Sequence, residues 1–162
     1  MSLFVNKTLL LSIAILLVSH STTLGEIGDV VPAFQLKDYH GKDYSLKTFD
    51  DSQLVVLAFV GTECPLAKLY SGRLQELSQK YTSEQVRIVA VDSLIQDSVT
   101  EIAAWARRHG LTFPVLKDPA QTVANLVGAA RTPQVFLLDQ NRAVRYQGRI
   151  DDQYVVGIVR DE

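Results

Sequence analysis

The run Leu54–Val60, Leu-Val-Val-Leu-Ala-Phe-Val, restricts the fold of this chain more than any other stretch. It is apolar at every position and rich in β-branched residues, so it reads as a strand covered on both faces, the central strand of a sheet between two layers. It leads directly into Gly61-Thr62-Glu63-Cys64-Pro65. Beyond that loop Leu69, Tyr70, Leu74, Leu77 and Tyr81 recur at helical spacing, and Pro65 suits the first position of a helix. The result is a strand, a tight loop and a helix, with Cys64 at the junction. Cys64 is the single cysteine of the 162 residues, so no internal disulfide can form.

Other segments repeat the alternation. A strand is expected around Ala33-Phe34-Gln35-Leu36, a turn at His40-Gly41 and a short return strand from Asp43 to Leu46. Val86 to Val91 reads as a second buried strand. Ser98-Val99-Thr100-Glu101 has the form of a capping box opening a helix to about His109, with Gly110 as its stop. Phe113 to Leu116 is extended. Asp118-Pro119 reads as cap and first residue of a helix through Val127, closed by Gly128. Gln134 to Leu138, a turn at Gln140-Asn141 and Ala143 to Gln147 complete a hairpin. Strands and helices alternating in the middle, with hairpins at both ends, predict an α/β domain: a central mixed sheet flanked by helices. The segment Arg149 to Glu162 is polar and too short for a covering helix, which leaves the sheet partly uncovered there.

Apolar residues make up 47% and charged residues 21% of the chain, and the formal net charge is -2. These proportions suit one folded domain and exclude a disordered tail. There is no basic block to follow a phosphate backbone, so nucleic acid is not an expected partner. Lys7, the apolar run Leu9 to Val18 and the small residues around Thr23-Leu24-Gly25 read as a signal peptide, residues 1–25. The run is shorter than the roughly 20 residues that span a bilayer. The expectation is therefore a domain of residues 26–162, exported to a periplasmic or extracellular space, without stable membrane insertion after cleavage. A lone cysteine in such a protein is either a buried bystander or a thiol that reacts outside its own chain.

The order Gly28, Pro32-Ala33-Phe34, Leu36, Gly41, the buried strand, Cys64-Pro65, Thr132-Pro133 and Phe136-Leu137-Leu138-Asp139 resembles the thioredoxin superfamily, in particular its peroxiredoxin-like, redoxin branch of alkyl hydroperoxide reductase and thiol-specific antioxidant proteins. Glu63-Cys64-Pro65-Leu66-Ala67-Lys68 and Tyr146-Gln147-Gly148-Arg149-Ile150-Asp151-Asp152 narrow the likeness to a peroxiredoxin-like group. The resemblance implies a thioredoxin fold lacking its last helix, with Cys64 in the place of the peroxidatic cysteine or of the first cysteine of a Cys-x-x-Cys pair. Ala67 holds the second place of that pair. The resemblance also implies that Thr132-Pro133 is the loop whose cis proline faces the reactive cysteine. The proline and the threonine or serine that precede the cysteine in peroxiredoxins are replaced by Leu57 and Gly61, and the supporting arginine falls near Pro133, leaving Arg131 as a substitute.

A thiol attacks as its thiolate, and a helix N-terminus offers unpaired N–H groups and the positive end of the dipole to that charge. Lys68 adds positive charge one turn on, and Glu63 opposes it. The catalytic candidates are Cys64, Arg131, Thr132 and Pro133. Arg131 and Thr132 are expected to hold the thiolate or polarise a peroxide, or else to be ordinary loop residues. Asp151-Asp152 reads as a solvated turn rather than a cation site. His40 and His109 do not suggest metal ligands, Trp105 and the Leu and Tyr positions of the helices read as core, and no phosphate loop is present, so neither cofactor nor metal is expected. The favoured function is reduction of a peroxide through Cys64 with an external thiol reductant. The alternatives are thiol–disulfide exchange with a redox partner protein and a non-catalytic binding module.

Overall fold

The structure is a computed structural model that describes residues 25–152, together with the backbone of Tyr154–Val155 and Ile158–Val159. The expected signal peptide falls, save for Gly25, outside the described residues. Seven strands form one sheet: β1 (Gln35–Asp38), β2 (Asp43–Ser45), β3 (Leu54–Val60), β4 (Val86–Asp92), β5 (Val115–Lys117), β6 (Gln134–Leu138) and β7 (Val144–Gly148). The helices are α1 (Pro65–Lys80), α2 (Val99–Arg108) and α3 (Thr122–Val127). The strand order is β2-β1-β5-β4-β3-β6-β7, with β3, β4 and β5 mutually parallel and every other pairing antiparallel. This is the expected mixed sheet flanked by helices. The run Leu54–Val60 is an interior strand beside the middle strand of the seven, paired with β4 on one side and β6 on the other.

Side chains alternate across a strand, and β3 therefore feeds two cores. Val55, Leu57 and Phe59 pack on one face with Val31, Phe34, Phe136 and the α3 residues Val123 and Val127. Phe59 meets Phe136 edge-on, with ring centroids 5.7 Å apart at 81°. Ala58 and Val60 pack on the other face with Ala67 and Leu74 of α1 and Ile102, Trp105 and Ala106 of α2. Each large side chain removed from water in this way contributes about 1.5–3 kcal/mol. Leu69 breaks the expectation that every apolar position of α1 belongs to the core, because it is 54% exposed. A groove of about 330 Å³ opens on the α1 side of the sheet, lined by residues including Leu54, Leu74, Leu77, Leu137, Tyr146 and Ile150. Tyr154–Val155 and Ile158–Val159 pair as a short antiparallel ladder within the stretch read as too short for a covering helix.

The local signals hold in most places. Ser98 and Glu101 form the capping box in full: Glu101 N–H donates to Ser98 Oγ at 3.2 Å, and Ser98 N–H donates to Glu101 Oε2 at 2.7 Å. β1 begins two residues later than Ala33. The third helix differs more. Its first residue is Thr122 rather than Pro119, after Gln121 in the left-handed region at φ 54°. Asp118 still caps it, reaching past the intervening turn to accept from the N–H groups of Thr122, Val123 and Ala124 at 2.8, 3.0 and 3.0 Å. Asp118 N–H is tied to the carbonyl of Asp92 at 2.8 Å, so the chain must clear β4 before the helix starts.

Candidate active site

The C-terminal ends of β3 and β4 bring the site together, as is usual where parallel strands hand over to loops and helices. Cys64 is the N-cap residue of α1, with φ −67° and ψ 118°, and Pro65 follows at the first helical position. Its N–H donates to Gly61 O at 3.2 Å, closing a tight turn, and its carbonyl accepts from Lys68 N–H at 3.0 Å. No side-chain hydrogen bond caps α1. The thiol is half-buried against the α1–α2 core and donates to Thr132 O at 3.3 Å. The Thr132–Pro133 peptide bond is cis.

Antiparallel pairing of β6 with β3 explains this contact between residues far apart in sequence. Phe59, near the end of β3, is opposite Gln134, the first residue of β6. The loop entering β6 must therefore pass beside the loop leaving β3. Gln134 is buried and its side-chain carbonyl accepts from Ala130 N–H at 2.9 Å, which folds the segment 130–133 back on itself.

Three of the four expected residues thus share one place: Cys64, Thr132 and Pro133. Arg131 stands in the same loop but is exposed, and it makes no hydrogen bond or ion pair with Cys64 among the described residues. Lys68 and Glu63 neutralise each other, at 3.0 Å, in an exposed pair of small energetic worth. Asp151 is not a solvated turn. Tyr70 Oη donates to its Oδ1 at 2.5 Å and Arg73 lies 3.6 Å from its Oδ2, so it ties the end of the sheet region to α1. Trp105 is core, 2% exposed. His109 lies below the ordinary histidine range because burial disfavours its charge, with Arg108 and Lys68 adding repulsion. Among the described residues no group of three or more His, Cys, Asp or Glu side chains is arranged to hold a metal ion, and no helix is long and apolar enough to cross a membrane.

Sequence reasoning missed a buried acid cluster beneath the Cys64 loop. The parallel register sets Val60 opposite Asp92 and Asp92 opposite Lys117. Asp92 Oδ1 accepts from Lys117 Nζ at 2.9 Å and from Leu94 N–H at 3.1 Å, while its Oδ2 has no donor. Asp97 Oδ2 accepts from Thr62 N–H at 2.7 Å. Burial pushes Asp92 up to about 7; the neighbouring Asp97 adds to the rise and Lys117 opposes it. Burial also acts to raise Asp97, but hydrogen bonds from Thr62 N–H and from Asp92 outweigh it and hold Asp97 below the ordinary carboxylate range. Of the two carboxyls, Asp92 thus holds a proton more tightly than Asp97. No local signal marks Asp92, at a strand end, or Asp97, beside a helix cap; only the adjacency of three strands distinguishes them.

A half-buried cysteine at a helix N-terminus, opposed by a cis-proline loop on this sheet, defines a thioredoxin-fold domain. Residues 27–147 match the AhpC/TSA family, and the chain belongs to it. A curated relative, the thiol-disulfide oxidoreductase ResA of Geobacillus thermodenitrificans (strain NG80-2), is 31% identical over 119 residues, which are 74% of this chain and 67% of that protein. Among solved structures, protein SMc02350 of Sinorhizobium meliloti 1021 superimposes with a TM-score of 0.77 at 31% identity, covering 82% of this chain and 75% of that one. The peroxidoxin BcpB of Mycobacterium tuberculosis shares the fold, with a TM-score of 0.66 at 24% identity over 74% of this chain and 82% of its own.

Proposed function

We propose that the protein is a thiol–disulfide exchange enzyme in which Cys64 forms a mixed disulfide with a partner protein, and that an external thiol resolves it. The Cys64 thiolate attacks one sulfur of the partner's disulfide, a new S–S bond forms, and the other sulfur leaves as a thiolate. Because Ala67 stands where a resolving cysteine would be, and the partner's own thiolate attacking back only restores its disulfide, turnover takes two external thiols: one attacks the Cys64 sulfur and frees the partner as a dithiol, and the second frees Cys64 and leaves as the external disulfide. The observation that carries the reading is the environment of the sulfur. Its hydrogen bond is to the carbonyl of Thr132, and among the described residues no side-chain donor is bound to it. Reduction of a peroxide profits from donors placed on the leaving oxygen, whereas a disulfide brings a sulfur leaving group that needs none. The likeness to ResA supports the same side, so exchange replaces peroxide reduction as the main reading.

A protein substrate is also favoured by the surface around the site. Ile95, 75% exposed, stands in the loop whose Asp97 holds Thr62, and Leu69 is exposed on α1 one turn beyond Cys64. Thr132 and Pro133 serve as the wall that orients the incoming disulfide, and Arg131 contributes charge at the rim. The leader of residues 1–25 and export to an oxidising space, where disulfide partners occur, belong to the same proposal. The test is capture. Incubated with an oxidised dithiol protein, the wild type should yield a mixed disulfide at Cys64 that external thiol releases, and Cys64→Ser should yield none. Rapid stoichiometric conversion of Cys64 to a sulfenic acid by peroxide, without mixed-disulfide formation, would return the peroxidase reading.

A further inference from the structure

We propose that Asp97 is a positioning residue for the reactive thiol: its buried carboxylate fixes the Gly61–Cys64 loop and thereby sets where the Cys64 sulfur points. Asp97 does not touch the sulfur and acts through the backbone of Thr62, two residues before Cys64. Thr62 N–H lies in a buried turn where an unpaired donor is costly, and Asp97 Oδ2 at 2.7 Å is its acceptor. The carboxylate comes from a residue 35 positions away, so the contact joins the loop after β4 to the loop after β3.

The mount for that carboxylate is itself rigid. Asp97 N–H donates to Leu94 O at 3.2 Å, Leu94 N–H donates to Asp92 Oδ1, and Lys117 Nζ bonds both Asp92 Oδ1 and Leu94 O. The two loops are in close contact here: a Cβ on Gly61 would lie 2.3 Å from Leu94 Cδ1. The charged groups around Asp97 are Asp92 and Lys117 from the sheet and Glu101 from the first turn of α2, with Asp118 beside them, bonded through Ser93 Oγ at 2.9 Å. What position 97 must supply is an acceptor toward Thr62 and a hydrogen-bonding partner toward Asp92. An asparagine side chain supplies both, and alanine supplies neither.

The inference rests on Cys64 as the reacting group but not on the identity of its substrate, and the assay uses a chromogenic aryl disulfide, dithiobis(nitrobenzoate). Attack by the thiolate forms a mixed disulfide and releases one aryl thiolate, whose absorbance gives the rate. Each folded rate is divided by the rate of the same chain unfolded in urea. Asp97→Ala should fall about tenfold or more, as expected when a reacting atom is displaced by a fraction of an ångström, and Asp97→Asn should stay within about twofold of the wild type. A purely structural role would lower the melting temperature of both variants without separating their rates in this way. Should Asp97→Ala not fold, Asp97→Glu takes its place, since it keeps the charge and moves the oxygen by about one bond length; its slowing supports the proposal. Wild-type rates in the Ala or Glu variant, or an Asn variant as slow as Ala, overturn it. If the wild type reacts with the aryl disulfide but captures no protein partner, the exchange reading fails and the ratio of variant rates still decides this one.

Discussion

Replacing Asp92 by asparagine isolates the energetics of the acid cluster. With Oδ1 taken by Lys117 Nζ and Leu94 N–H, an asparagine keeps its Oδ1 in that place and directs its Nδ2 at Asp97, copying the protonated acid. Burial pushes Asp92 from an ordinary 3.8 up to about 7 in the folded chain. A carboxyl whose folded value lies above its unfolded value holds its proton more tightly when folded. Its contribution to stability is thus full below the unfolded value and is lost as pH rises toward the folded one. Between about pH 4 and pH 7 the loss is about 1.4 kcal/mol per pH unit, or about 4 kcal/mol in total as an upper, order-of-magnitude figure. His109 works in the opposite direction over the same window, because its lowered value makes it more stabilising as pH rises. The difference between wild type and Asp92→Asn cancels that effect. Urea unfolding should therefore give nearly equal stabilities for the two at about pH 4, and an advantage of about 3–4 kcal/mol to Asp92→Asn at about pH 8. Parallel pH profiles for the two proteins would refute the assignment of the proton to Asp92.

Gly61→Ala should destabilise the fold by about 1–3 kcal/mol and slow the thiol, because its Cβ would lie 2.3 Å from Leu94 Cδ1; thermal melts and the aryl disulfide rate read the two effects. Asp118→Ala strips three N–H groups of α3 and the hydroxyl of Ser93 of one shared acceptor, and should cost about 3 kcal/mol or more in urea unfolding. Tyr70→Phe should cost about 1–2 kcal/mol at neutral pH by removing the donor to half-buried Asp151, and a melt within experimental error of the wild type would show that contact to be without weight. Sequencing the exported protein should find a new N-terminus close to Glu26, whereas recovery of Met1 from the membrane fraction counts against cleavage.

The elements that could be read without coordinates are those governed by local rules. Leu54–Val60 is a strand at the expected residues because a run apolar on both faces has no stable place outside a covered sheet, and Pro65 and the Ser98–Glu101 box start α1 and α2 where capping chemistry puts them. The meeting of Cys64 with Thr132-Pro133 was legible only through the family resemblance, since Cys64 and Thr132 stand 68 positions apart and no local rule encodes their contact. Tertiary structure decided the rest. It started α3 three residues past the expected position because Asp118 is tied to β4, turned Asp151 toward Tyr70, and left Arg131 at the rim. It also set Asp92 beside Lys117 and Asp97 beneath Thr62. A carboxylate's proton affinity depends on what surrounds it in space, and that neighbourhood exists only once three strands, distant in sequence, lie side by side.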